Sequence, residues 1–432
     1  MRSAERILSE LERFGIRLGL DHLQKLYRRL GEPARELPAV LVAGTNGKGS
    51  TAALLEAIVR GSGYRVGLYT SPHLESVNER LRIDGASIAE ARLAARLEQV
   101  LAAAQELGES PPTFFEALTL AAFLELAAAR PELAILEVGM GGRLDATNLA
   151  TPRLAVVSAI DFDHQQWLGP TLAAIAREKA GILRAGRPAV FAAQPPEAAA
   201  ALASEAARLG ALPTWVAEEI VARQVRSRGL AGLEVALRTR QASYRLAISL
   251  AGRHQAENLS TAVVAAELLR AQGFDRLTTE AIERGAASCR WPGRLESIVL
   301  PGGRTLLLDA AHNPGGCRTL SAFLDELGQP HALLFGALSD KSIPEMLPPL
   351  AERAVRLVLT DPPSSRAAAA ATLERWAPAH RALRVEPDFR HALDVVLAGD
   401  EPLVVVCGSI YLIGAVRREL RARFGAPPAL SA

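Results

Sequence analysis

The amino-acid sequence predicts an α/β protein of two domains, and three observations lead to this prediction. Apolar segments of strand length alternate with longer Ala/Leu-rich helical segments along most of the 432 residues, which is typical of parallel sheets covered by helices. A glycine-rich loop at residues 44–49 stands between one such apolar segment and a helix. The alternation breaks off near residue 215 and restarts after "CRWPGRLE". We therefore expect one domain over residues 1–288 and a smaller one over residues 289–432.

The predicted elements of the first domain follow one another in a regular order. Residues 5 to 30 have helical periodicity, "ELPAVLVAG" is a buried strand, and "STAALLEAIVRGSG" is a helix closed by glycine. "RVGLYTS", "LAILEVG" and "LAVVSAI" are further strands, separated by helical stretches such as 87–107 and 114–129. This pattern predicts a doubly wound parallel sheet. Residues 215 to 250 alternate apolar and polar residues instead, which predicts a small antiparallel hairpin.

The second domain repeats the strand-then-helix pattern on a smaller scale. Its predicted strands lie in "RTLLLDAAHNPGG", "HALLFGALSD", "AVRLVLTD" and "PLVVVCGSIYLIG", and helical segments follow them. We expect a Rossmann-like α/β domain.

Composition and charge exclude several functional classes. A formal net charge of +2 gives no field that would attract nucleic acid or an acidic membrane surface. The N-terminus is charged throughout, and no stretch approaches the roughly 20 apolar residues of a membrane span. The three cysteines, Cys289, Cys317 and Cys407, lack metal-ligand spacing. We expect a cytoplasmic protein that binds neither nucleic acid nor membrane.

Lysine is rare in this sequence. Of its 49 Lys and Arg residues only four are lysines, Lys25, Lys48, Lys179 and Lys341, which leaves 45 arginines. A position that keeps lysine is a candidate for a compact ammonium, or for an amine that can lose its proton. Chance retention remains a fair alternative for any single lysine.

The loop "GTNGKGS" is shorter than the usual phosphate-binding loop but has its context, a strand before it and a helix after it. Its backbone N–H groups and the N-terminus of the following helix favour phosphate. Lys48 is expected to reach the β- and γ-phosphates, and the hydroxyl of Ser50 to bind Mg²⁺. A glycine turn kept for close packing is the alternative, but it leaves the central lysine unexplained.

Polar residues follow two other strands of the first domain. Glu137 ends the apolar strand "LAILEVG", and Asp161, Asp163 and His164 follow "LAVVSAI". Ligands of open parallel sheets bind at the carboxyl ends of the strands, so these side chains are candidates for the same site. A buried carboxylate needs a partner, and a hydrated Mg²⁺ can provide one. A capped strand end for Glu137, and an N-cap with a surface histidine for Asp161 and His164, are the alternatives.

Seven motifs of the sequence form one set: "GTNGKGS", "TSPHL", "LEVGMGGRLDATN", "DFDHQQWLG", "EKAGI", "WPGRLE" and "DAAHNPGG". This set resembles the bacterial dihydrofolate synthase/folylpolyglutamate synthase family, the folate branch of the Mur ligase superfamily. The match runs in order from about residue 18 to about residue 415. The resemblance implies a Mur ligase-like fold and an amide ligase. In such a ligase ATP phosphorylates a substrate carboxylate, and the amino group of glutamate attacks the acyl phosphate.

The resemblance also implies roles for individual residues. ATP would bind at Gly44, Thr45, Asn46, Gly47, Lys48, Gly49, Ser50 and Thr51. Ser50 and Glu137 would hold one Mg²⁺, and His164 would hold a second together with Glu137. Lys179 matches a lysine that CO₂ carbamylates in relatives, which requires a neutral amine.

Further site residues follow from the same resemblance. In the second domain, Asn258, Arg294 and Asp309 match nucleotide contacts, His312 lies close by as a catalytic candidate, and Lys341 matches a lysine of unassigned role. Candidate folate or glutamate contacts are Leu18, Gly19, Leu20, Ser71, Pro72, His73, Thr113, Phe114, Phe115, Leu144 and Ser409. Phe114 and Phe115 are suited to stack a pterin ring, although packing into the core explains them nearly as well.

Two other functions compete with a folate ligase. A Mur-type peptidoglycan ligase shares the fold and chemistry, but it normally carries a UDP-binding domain ahead of the phosphate loop, and Lys48 comes too early for one. A regulatory P-loop switch would not need a second metal ligand, Lys179 or a second α/β domain. We expect a monomer whose partners are ATP, Mg²⁺, L-glutamate and dihydropteroate or a reduced folate.

Overall fold

A computed structural model describes residues 2–15, 17, 19–379 and 382–425. The chain divides into two compact units. The first comprises Met1–Gln224, Ala236–Leu246 and Glu257–Cys289, and the second comprises Val225–Val235, Ala247–Ala256 and Arg290–Ala432. No helix in the described ranges has the length and apolar character needed to cross a membrane.

The first unit is built on an eight-stranded sheet with the order β4-β3-β2-β5-β1-β6-β7-β8. Its strands are β1 (Ala39–Ala43), β2 (Val66–Tyr69), β3 (Leu81–Ile83), β4 (Ala86–Ser87), β5 (Leu133–Glu137), β6 (Pro152–Val157), β7 (Pro188–Phe191) and β8 (Leu212–Trp215). The pairs β2–β3 and β3–β4 are antiparallel, and the other pairs are parallel. The predicted parallel sheet is confirmed, with an antiparallel edge that the sequence patterns did not predict.

Helices cover both faces of this sheet. They are α1 (Ala4–Leu11), α2 (Asp21–Arg29), α3 (Lys48–Gly61), α4 (Glu90–Glu106), α5 (Phe114–Ala129), α6 (Gln165–Leu168), α7 (Leu172–Lys179), α8 (Pro196–Leu209), α9 (Val216–Glu219), α10 (Gln255–Arg270) and α11 (Thr279–Ser288). All five residues of β1 are buried, and successive strand residues point to opposite faces. Burial on both faces explains why β1 appears in the sequence as an unbroken apolar run.

Two predicted elements differ from the structure. The helical periodicity of residues 5 to 30 belongs to two helices, α1 and α2, rather than to one stretch. The chain leaves the helical conformation at Gly15 and Gly19, which have φ of 60° and 109°. Residues 215 to 250 contain α9 and a three-stranded sheet in place of a hairpin. Its strands are β9 (Ile220–Ser227), β10 (Leu233–Thr239) and β11 (Ser243–Ile248), in the order β11-β10-β9.

The second unit is built on a six-stranded sheet with the order β12-β13-β17-β14-β15-β16. Its strands are β12 (Glu296–Val299), β13 (Thr305–Leu308), β14 (His331–Phe335), β15 (Arg356–Leu359), β16 (Leu383–Val385) and β17 (Leu403–Cys407). Only β12, at the edge, runs antiparallel to its neighbour. Its helices are α12 (Pro314–Leu327), α13 (Ile343–Met346), α14 (Pro348–Ala351), α15 (Ala370–Leu373), α16 (Phe389–Leu397) and α17 (Ile410–Phe424).

Helix α3 packs closely on α11 in the first unit, with a glycine from each helix at the contact. A Cβ added to Gly61 would lie 2.6 Å from the Cα of Gly285, and one added to Gly285 would lie 2.5 Å from the Cα of Ile58. Because backbone atoms block both positions, neither glycine can be enlarged without moving a helix.

We expect Gly61→Ala to lower the free energy of unfolding by about 1–3 kcal/mol, the usual cost of an added methyl group in a packed interior. Denaturant unfolding of the purified protein measures this change. Arg284→Ala, at an exposed position of α11, is the control and should have little effect. If Gly61→Ala were as stable as the wild type, α3 and α11 could move apart without a cost in free energy, and this prediction would be wrong.

Candidate active site

The glycine-rich loop is attached to the chain segment that follows β6. The backbone N–H groups of Thr45 and Asn46 both donate to the carbonyl oxygen of Ala159, at 2.8 and 3.0 Å. The hydroxyl of Thr45 donates to the carbonyl oxygen of Asp161 at 2.9 Å. These two backbone donors therefore hold the loop in place, and the N–H groups of Thr45 and Asn46 already have a partner within the protein.

The two loop glycines at positive φ lie where a side chain would collide with the protein. Gly44 has φ of 142°, and an added Cβ would be 1.9 Å from Oγ of Ser158. Gly47 has φ of 85°, and an added Cβ would be 2.3 Å from Oδ1 of Asn258. The loop is thus shaped by the end of β6 on one side and by α10 on the other.

Asn258 lies in the first unit, which corrects the prediction that grouped it with Arg294 and Asp309 in the second domain. It is a buried residue of α10, and its Oδ1 accepts a 3.5 Å hydrogen bond from Oγ1 of Thr51 in the first turns of α3. Sequence distance concealed this contact because more than 200 residues separate the two side chains.

Two of the four lysines meet at this loop. Nζ of Lys48 donates to the carbonyl oxygen of Thr45 at 3.1 Å. Lys179, the last residue of α7, is 4% exposed, and its Nζ donates to the carbonyl oxygen of Gly44 at 2.7 Å. Burial and the neighbouring positive charge of Lys48 lower the pKa of Lys179 to about 7, against the attraction of Asp163 and Asp145. A large fraction of the Lys179 amine is therefore neutral at neutral pH.

Glu137 ends β5, next to the strand that leads into the loop. It pairs in register with Val42 of β1, so its backbone stands beside the last residues before Gly44. Its side chain is 4% exposed, and Oε2 accepts a 3.1 Å hydrogen bond from the backbone N–H of Ser71. The Ser71–Pro72 peptide bond is cis. The structure thus brings the "TSPHL" motif against the carboxylate of Glu137.

The glycine-rich segment after β5 is locked onto the end of α7. A Cβ on Gly142 would lie 2.8 Å from the carbonyl oxygen of Lys179, and one on Gly181 would lie 2.3 Å from the Cα of Arg143. Arg184 links the two segments, since its Nη2 donates a hydrogen bond to Oδ1 of Asn148 at 2.7 Å. The segment that contains Gly142 and Arg143 therefore packs directly against the backbone at the end of α7 and just beyond it.

Asp145 organises the same segment, and sequence reasoning missed it. Its carboxylate accepts hydrogen bonds from the N–H and the hydroxyl of Thr147 and from the N–H of Met140, at 3.0, 2.6 and 2.9 Å. Burial raises the pKa of the Asp145 carboxyl group above its ordinary value. The Asx pattern of "DATN" was the available signal. Leu144, just before it, is 43% exposed.

Of the predicted site residues after β6, Asp161 makes a structural contact and His164 is exposed. Asp161 anchors Thr45 through its backbone carbonyl. His164 begins α6 with φ of 52°, and its side chain is 39% exposed. Its Nε2 lies 3.9 Å from Oδ1 of Asp163, which also interacts electrostatically with Lys179. The imidazole of His164 is therefore partly exposed and lies close to the Asp163 carboxylate.

The two segments predicted to hold a pterin are joined to each other. Nη1 of Arg17 lies 2.8 Å from Nδ1 of His22 and 3.9 Å from Oε2 of the buried Glu116. Nε2 of His22 lies 2.9 Å from the carbonyl oxygen of Ser110. Gly19 and Leu20 are half-buried between these contacts, and Leu18 lies outside the described residues.

Thr113, Phe114 and Phe115 form the start of α5. Thr113 caps the helix in a reciprocal pair with Glu116, so its hydroxyl has a structural function. The Phe115 ring presses against Gly139, where a Cβ would lie 2.4 Å from its Cζ. Phe114 is half-buried.

Arg80 connects Phe114 to the "TSPHL" loop, and sequence reasoning missed it as well. Its guanidinium carbon lies 5.1 Å from the centroid of the Phe114 ring, a cation–π arrangement. Its Nε donates to Nδ1 of His73 at 3.0 Å. The structure therefore brings His73 and Phe114, two predicted substrate residues, to the same buried arginine.

In the second unit, the predicted nucleotide residues meet at one turn after β13. The carboxylate of Asp309 accepts from the N–H groups of Leu295 and Ala311, both at 2.9 Å. Nη1 of Arg294 donates to the carbonyl oxygen of Ala310 at 3.5 Å, and Nδ1 of His312 lies 2.8 Å from the same oxygen. Burial raises the pKa of Asp309, and the charge of Arg294 opposes that shift.

Two other predicted residues of this unit have identifiable local surroundings. Ser409 is buried, and its hydroxyl caps α17 by accepting from the N–H of Tyr411 at 3.2 Å. Lys341 is half-buried in the turn before α13, where its N–H donates to the carbonyl oxygen of Leu338 at 3.2 Å.

The side chains around the loop fit a magnesium ion that shares its coordination with phosphate and water. Within residues 2–15, 17, 19–379 and 382–425, no group of three or more His, Cys, Asp and Glu side chains is arranged to hold a metal alone. Mg²⁺ usually takes one or two protein carboxylates and fills its other positions with phosphate oxygens and water. Glu137 is a buried carboxylate next to the glycine-rich loop, and the Asp145 carboxylate accepts hydrogen bonds from Thr147, so Glu137 has the character of such a single protein ligand.

Comparisons with known proteins show which family the chain belongs to. The family model of the Mur ligase middle domain matches residues 42–266, and the model of the Mur ligase, glutamate ligase domain matches residues 293–410. A dihydrofolate synthase/folylpolyglutamate synthase from Bacillus subtilis is 32% identical over 417 residues, which are 95% of this chain and 96% of the relative. The chain belongs to the dihydrofolate synthase/folylpolyglutamate synthase family.

Other members of the family give the same result. The Escherichia coli dihydrofolate synthase/folylpolyglutamate synthase is 37% identical over 348 residues, 78% of this chain and 76% of that protein. The structure of E. coli FolC in complex with DHPP and ADP has a TM-score of 0.86 at 32% identity and covers 98% of both chains. A bifunctional synthase with Mn, AMPPNP and L-glutamate bound has a TM-score of 0.82 at 32% identity, again over 98% of both chains.

Membership in this family confirms the predicted fold class and enzyme class. The chain is an ATP-dependent acid–amino-acid ligase of the Mur ligase superfamily, and ATP and a divalent metal ion are its cofactors. The folate branch is supported along nearly the whole chain, whereas a peptidoglycan Mur ligase is a less specific description.

The lowered pKa of Lys179 predicts how stability depends on pH. The folded-state pKa of about 7 is below the ordinary 10.5, so between these values the unfolded chain holds a proton that the folded protein has lost. The free energy of unfolding therefore rises as pH increases from 7 toward 10.5. Below pH 7 the amine is charged in the folded protein, and the full cost of burying that charge lowers the stability. We expect the free energy of unfolding of the wild type, relative to Lys179→Met, to rise over this range in CO₂-free buffer. Parallel pH profiles of the two proteins would contradict the shift.

Proposed function

We propose that this enzyme ligates L-glutamate both to dihydropteroate and to the glutamate tail of reduced folates, in one active site and through an acyl phosphate. The meeting of Lys48 and Lys179 at the loop, with Glu137 on the adjacent strand end, carries this proposal. It is the arrangement expected for moving a phosphoryl group to a carboxylate. The names of relatives that match nearly the full chain supply the substrates.

In the proposed reaction, a carboxylate oxygen of the acid attacks the γ-phosphorus of ATP, and ADP leaves. The amino nitrogen of glutamate then attacks the acyl carbon, loses a proton and expels phosphate. Lys48 would neutralise the phosphoryl group during transfer, with the amides at the start of α3 holding the phosphates. Binding the three reactants together turns a three-body encounter into a local reaction.

The divalent metal would be held at two positions, by Ser50 and Glu137 and by Glu137 and His164, where it would supply positive charge to the phosphate oxygens. The buried carboxylate of Glu137 and the accessible imidazole of His164 suit these assignments. Histidine is a less usual ligand for Mg²⁺, so the assignment to Glu137 has the stronger chemical basis.

Lys179 would act as a carbamate formed from its neutral amine and CO₂. Its lowered pKa keeps the amine reactive at neutral pH, and arginine has no equivalent chemistry. The carbamate would place an anion beside the phosphate loop, where it is suited to support the second metal position.

Nucleotide contacts would come from Asn258, Arg294 and Asp309, with His312 nearby. The pterin would lie along Gly19, Leu20, Leu144 and the start of α5, and the glutamate end along Ser71, Pro72 and His73. The accessible Leu144 and the half-buried Phe114 suit a ring-binding surface, whereas the capping hydroxyls of Thr113 and Ser409 make them weaker candidates for direct contact.

We also propose that residues 1–288 act as the ATP-binding domain and residues 289–432 as the ligase domain, in a cytoplasmic monomer. The modest net charge and three buried cysteines that form no disulfide are consistent with a reducing compartment.

The decisive experiment measures glutamate ligation to dihydropteroate and to a reduced monoglutamyl folate at saturating ATP, with products identified by mass spectrometry. We expect both acids to be extended. Turnover of one acid alone would refute the bifunctional proposal. Acceptance of a UDP-muramoyl acid in place of both would refute the folate assignment.

Glu137→Gln and Lys48→Ala are the inactive controls for the ligation assay. Each removes one charge at the phosphate site, and we expect turnover to fall by roughly a thousandfold or more. Circular dichroism and thermal unfolding check that the variants remain folded. Normal turnover of Glu137→Gln at limiting Mg²⁺ would remove Glu137 from the metal site.

The carbamate makes a separate prediction for Lys179. Because neither alanine nor arginine can be carbamylated, we expect Lys179→Ala and Lys179→Arg both to lose activity. Short carboxylic acids should partly rescue the alanine variant by occupying the vacated anionic position. If Lys179→Arg retained most of the activity, the residue would act as a cation and the carbamate proposal would be wrong.

A further inference from the structure

Gln194, three residues beyond β7, spans the chain segment on which the phosphate loop rests. Its Oε1 accepts a 2.9 Å hydrogen bond from the N–H of Ile160, and its Nε2 donates to the carbonyl oxygen of Ser158 at 3.0 Å. Ser158 and Ile160 are 1% and 2% exposed, so these backbone groups have little access to water. The side-chain amide thus bonds on both sides of Ala159.

This pattern is the one that a strand makes with a parallel neighbour. In a parallel ladder, one residue donates its N–H to the residue before its partner and accepts from the residue after it. Regular pairing of β6 and β7 ends at Val157 and Phe191, followed by one bond from the N–H of Ala192 to the carbonyl oxygen of Val157. The amide of Gln194 continues the ladder where the backbone of its own strand has turned away.

The position of Ala159 matters because its carbonyl oxygen receives both loop amides, those of Thr45 and Asn46. The segment is therefore held from two sides, by the loop on one and by Gln194 on the other. Ser158, the residue before Ala159, also excludes any side chain at Gly44. A shift of this segment would move the loop as a whole.

We propose that Gln194 is a positioning residue for nucleotide binding, which fixes residues 158–160 and through them the phosphate loop. The proposal rests on the nucleotide site proposed above for that loop. Gln194 itself touches no reacting atom in this scheme. Replacing Gln194 should weaken nucleotide binding and raise the KM for ATP while the protein remains folded.

The test is ADP binding, measured by calorimetric titration, which requires no turnover. Removing the amide in Gln194→Ala leaves the N–H of Ile160 and the carbonyl of Ser158 without this partner, and we expect roughly tenfold weaker binding of ADP. Gln194→Met keeps most of the side-chain volume and should behave the same way, so that lost packing does not explain the effect.

Gln194→Glu provides a sharper measurement because its effect should depend on pH. At pH 8 the carboxylate can accept from Ile160 but repels the carbonyl oxygen of Ser158, so ADP affinity should fall at least as far as in Gln194→Ala. At pH 4.5, close to the ordinary pKa of about 4.3 for a glutamic acid, a large fraction of the carboxyl group is protonated and can donate to Ser158. Affinity relative to the wild type at the same pH should then partly recover. A residue that only fills space would show no such recovery.

Gln99→Glu, at an exposed position of α4, is the matched control for the added charge and should bind ADP like the wild type at both pH values. Wild-type affinity in Gln194→Ala and Gln194→Met, or an equal loss in Gln194→Glu at pH 8 and 4.5, would overturn the proposal. Absence of ADP binding by the wild type would overturn the nucleotide site as well, which separates the two failures.

Hydrogen exchange of the wild-type protein keeps the proposal testable if the variants do not fold. The bond to Gln194 should protect the amide of Ile160 from exchange to a degree similar to the amides within β6. Exchange at the unprotected rate would contradict the hydrogen bond from which the proposal starts.

Discussion

The site depends on one shared acceptor, the carbonyl oxygen of Ala159, which receives the N–H groups of Thr45 and Asn46. This contact draws the loop onto the end of β6 so closely that only glycine fits at position 44. The N–H groups of Thr45 and Asn46 are occupied by this contact, whereas a longer loop could offer such groups to phosphate. A loop with only two residues between Gly44 and Gly47 therefore turns directly into α3, which begins at Lys48.

Burial of charge is the second constraint, and each charged group meets it differently. Asp145 satisfies its carboxylate with three local donors, and burial still raises its pKa. Lys179 has a carbonyl oxygen as partner and a lowered pKa, so the protein reduces the cost by giving up the proton. Glu137 receives a backbone N–H and lies beside the loop, where a metal ion can balance its charge.

The sequence predicted the strands and loops of the site because buried parallel strands are apolar runs punctuated by glycine, and β1, β5 and β6 have this form. It did not predict β7, β8 or the antiparallel edge strands, which are short and carry weak periodicity. The sequence could not predict the partners of Asn258 and Gln194, since side-chain hydrogen bonds across long sequence separations leave no local pattern. The pair of Thr113 and Glu116, in contrast, has the Thr-x-x-Glu spacing of a capping box and was predictable.

The scarcity of lysine in the sequence identifies some functional positions, but composition alone does not separate them from ordinary surface residues. Lys48 and Lys179 lie at the loop, where a compact ammonium and a neutral amine have distinct uses. Lys25, however, is 59% exposed in an ion pair with Glu109 on the surface, where arginine would serve equally well. Retention of lysine is therefore not sufficient to mark a functional position. What distinguishes Lys179 from Lys25 is burial next to the positive charge of Lys48, because desolvation and a like charge both make the proton of an amine costly to keep.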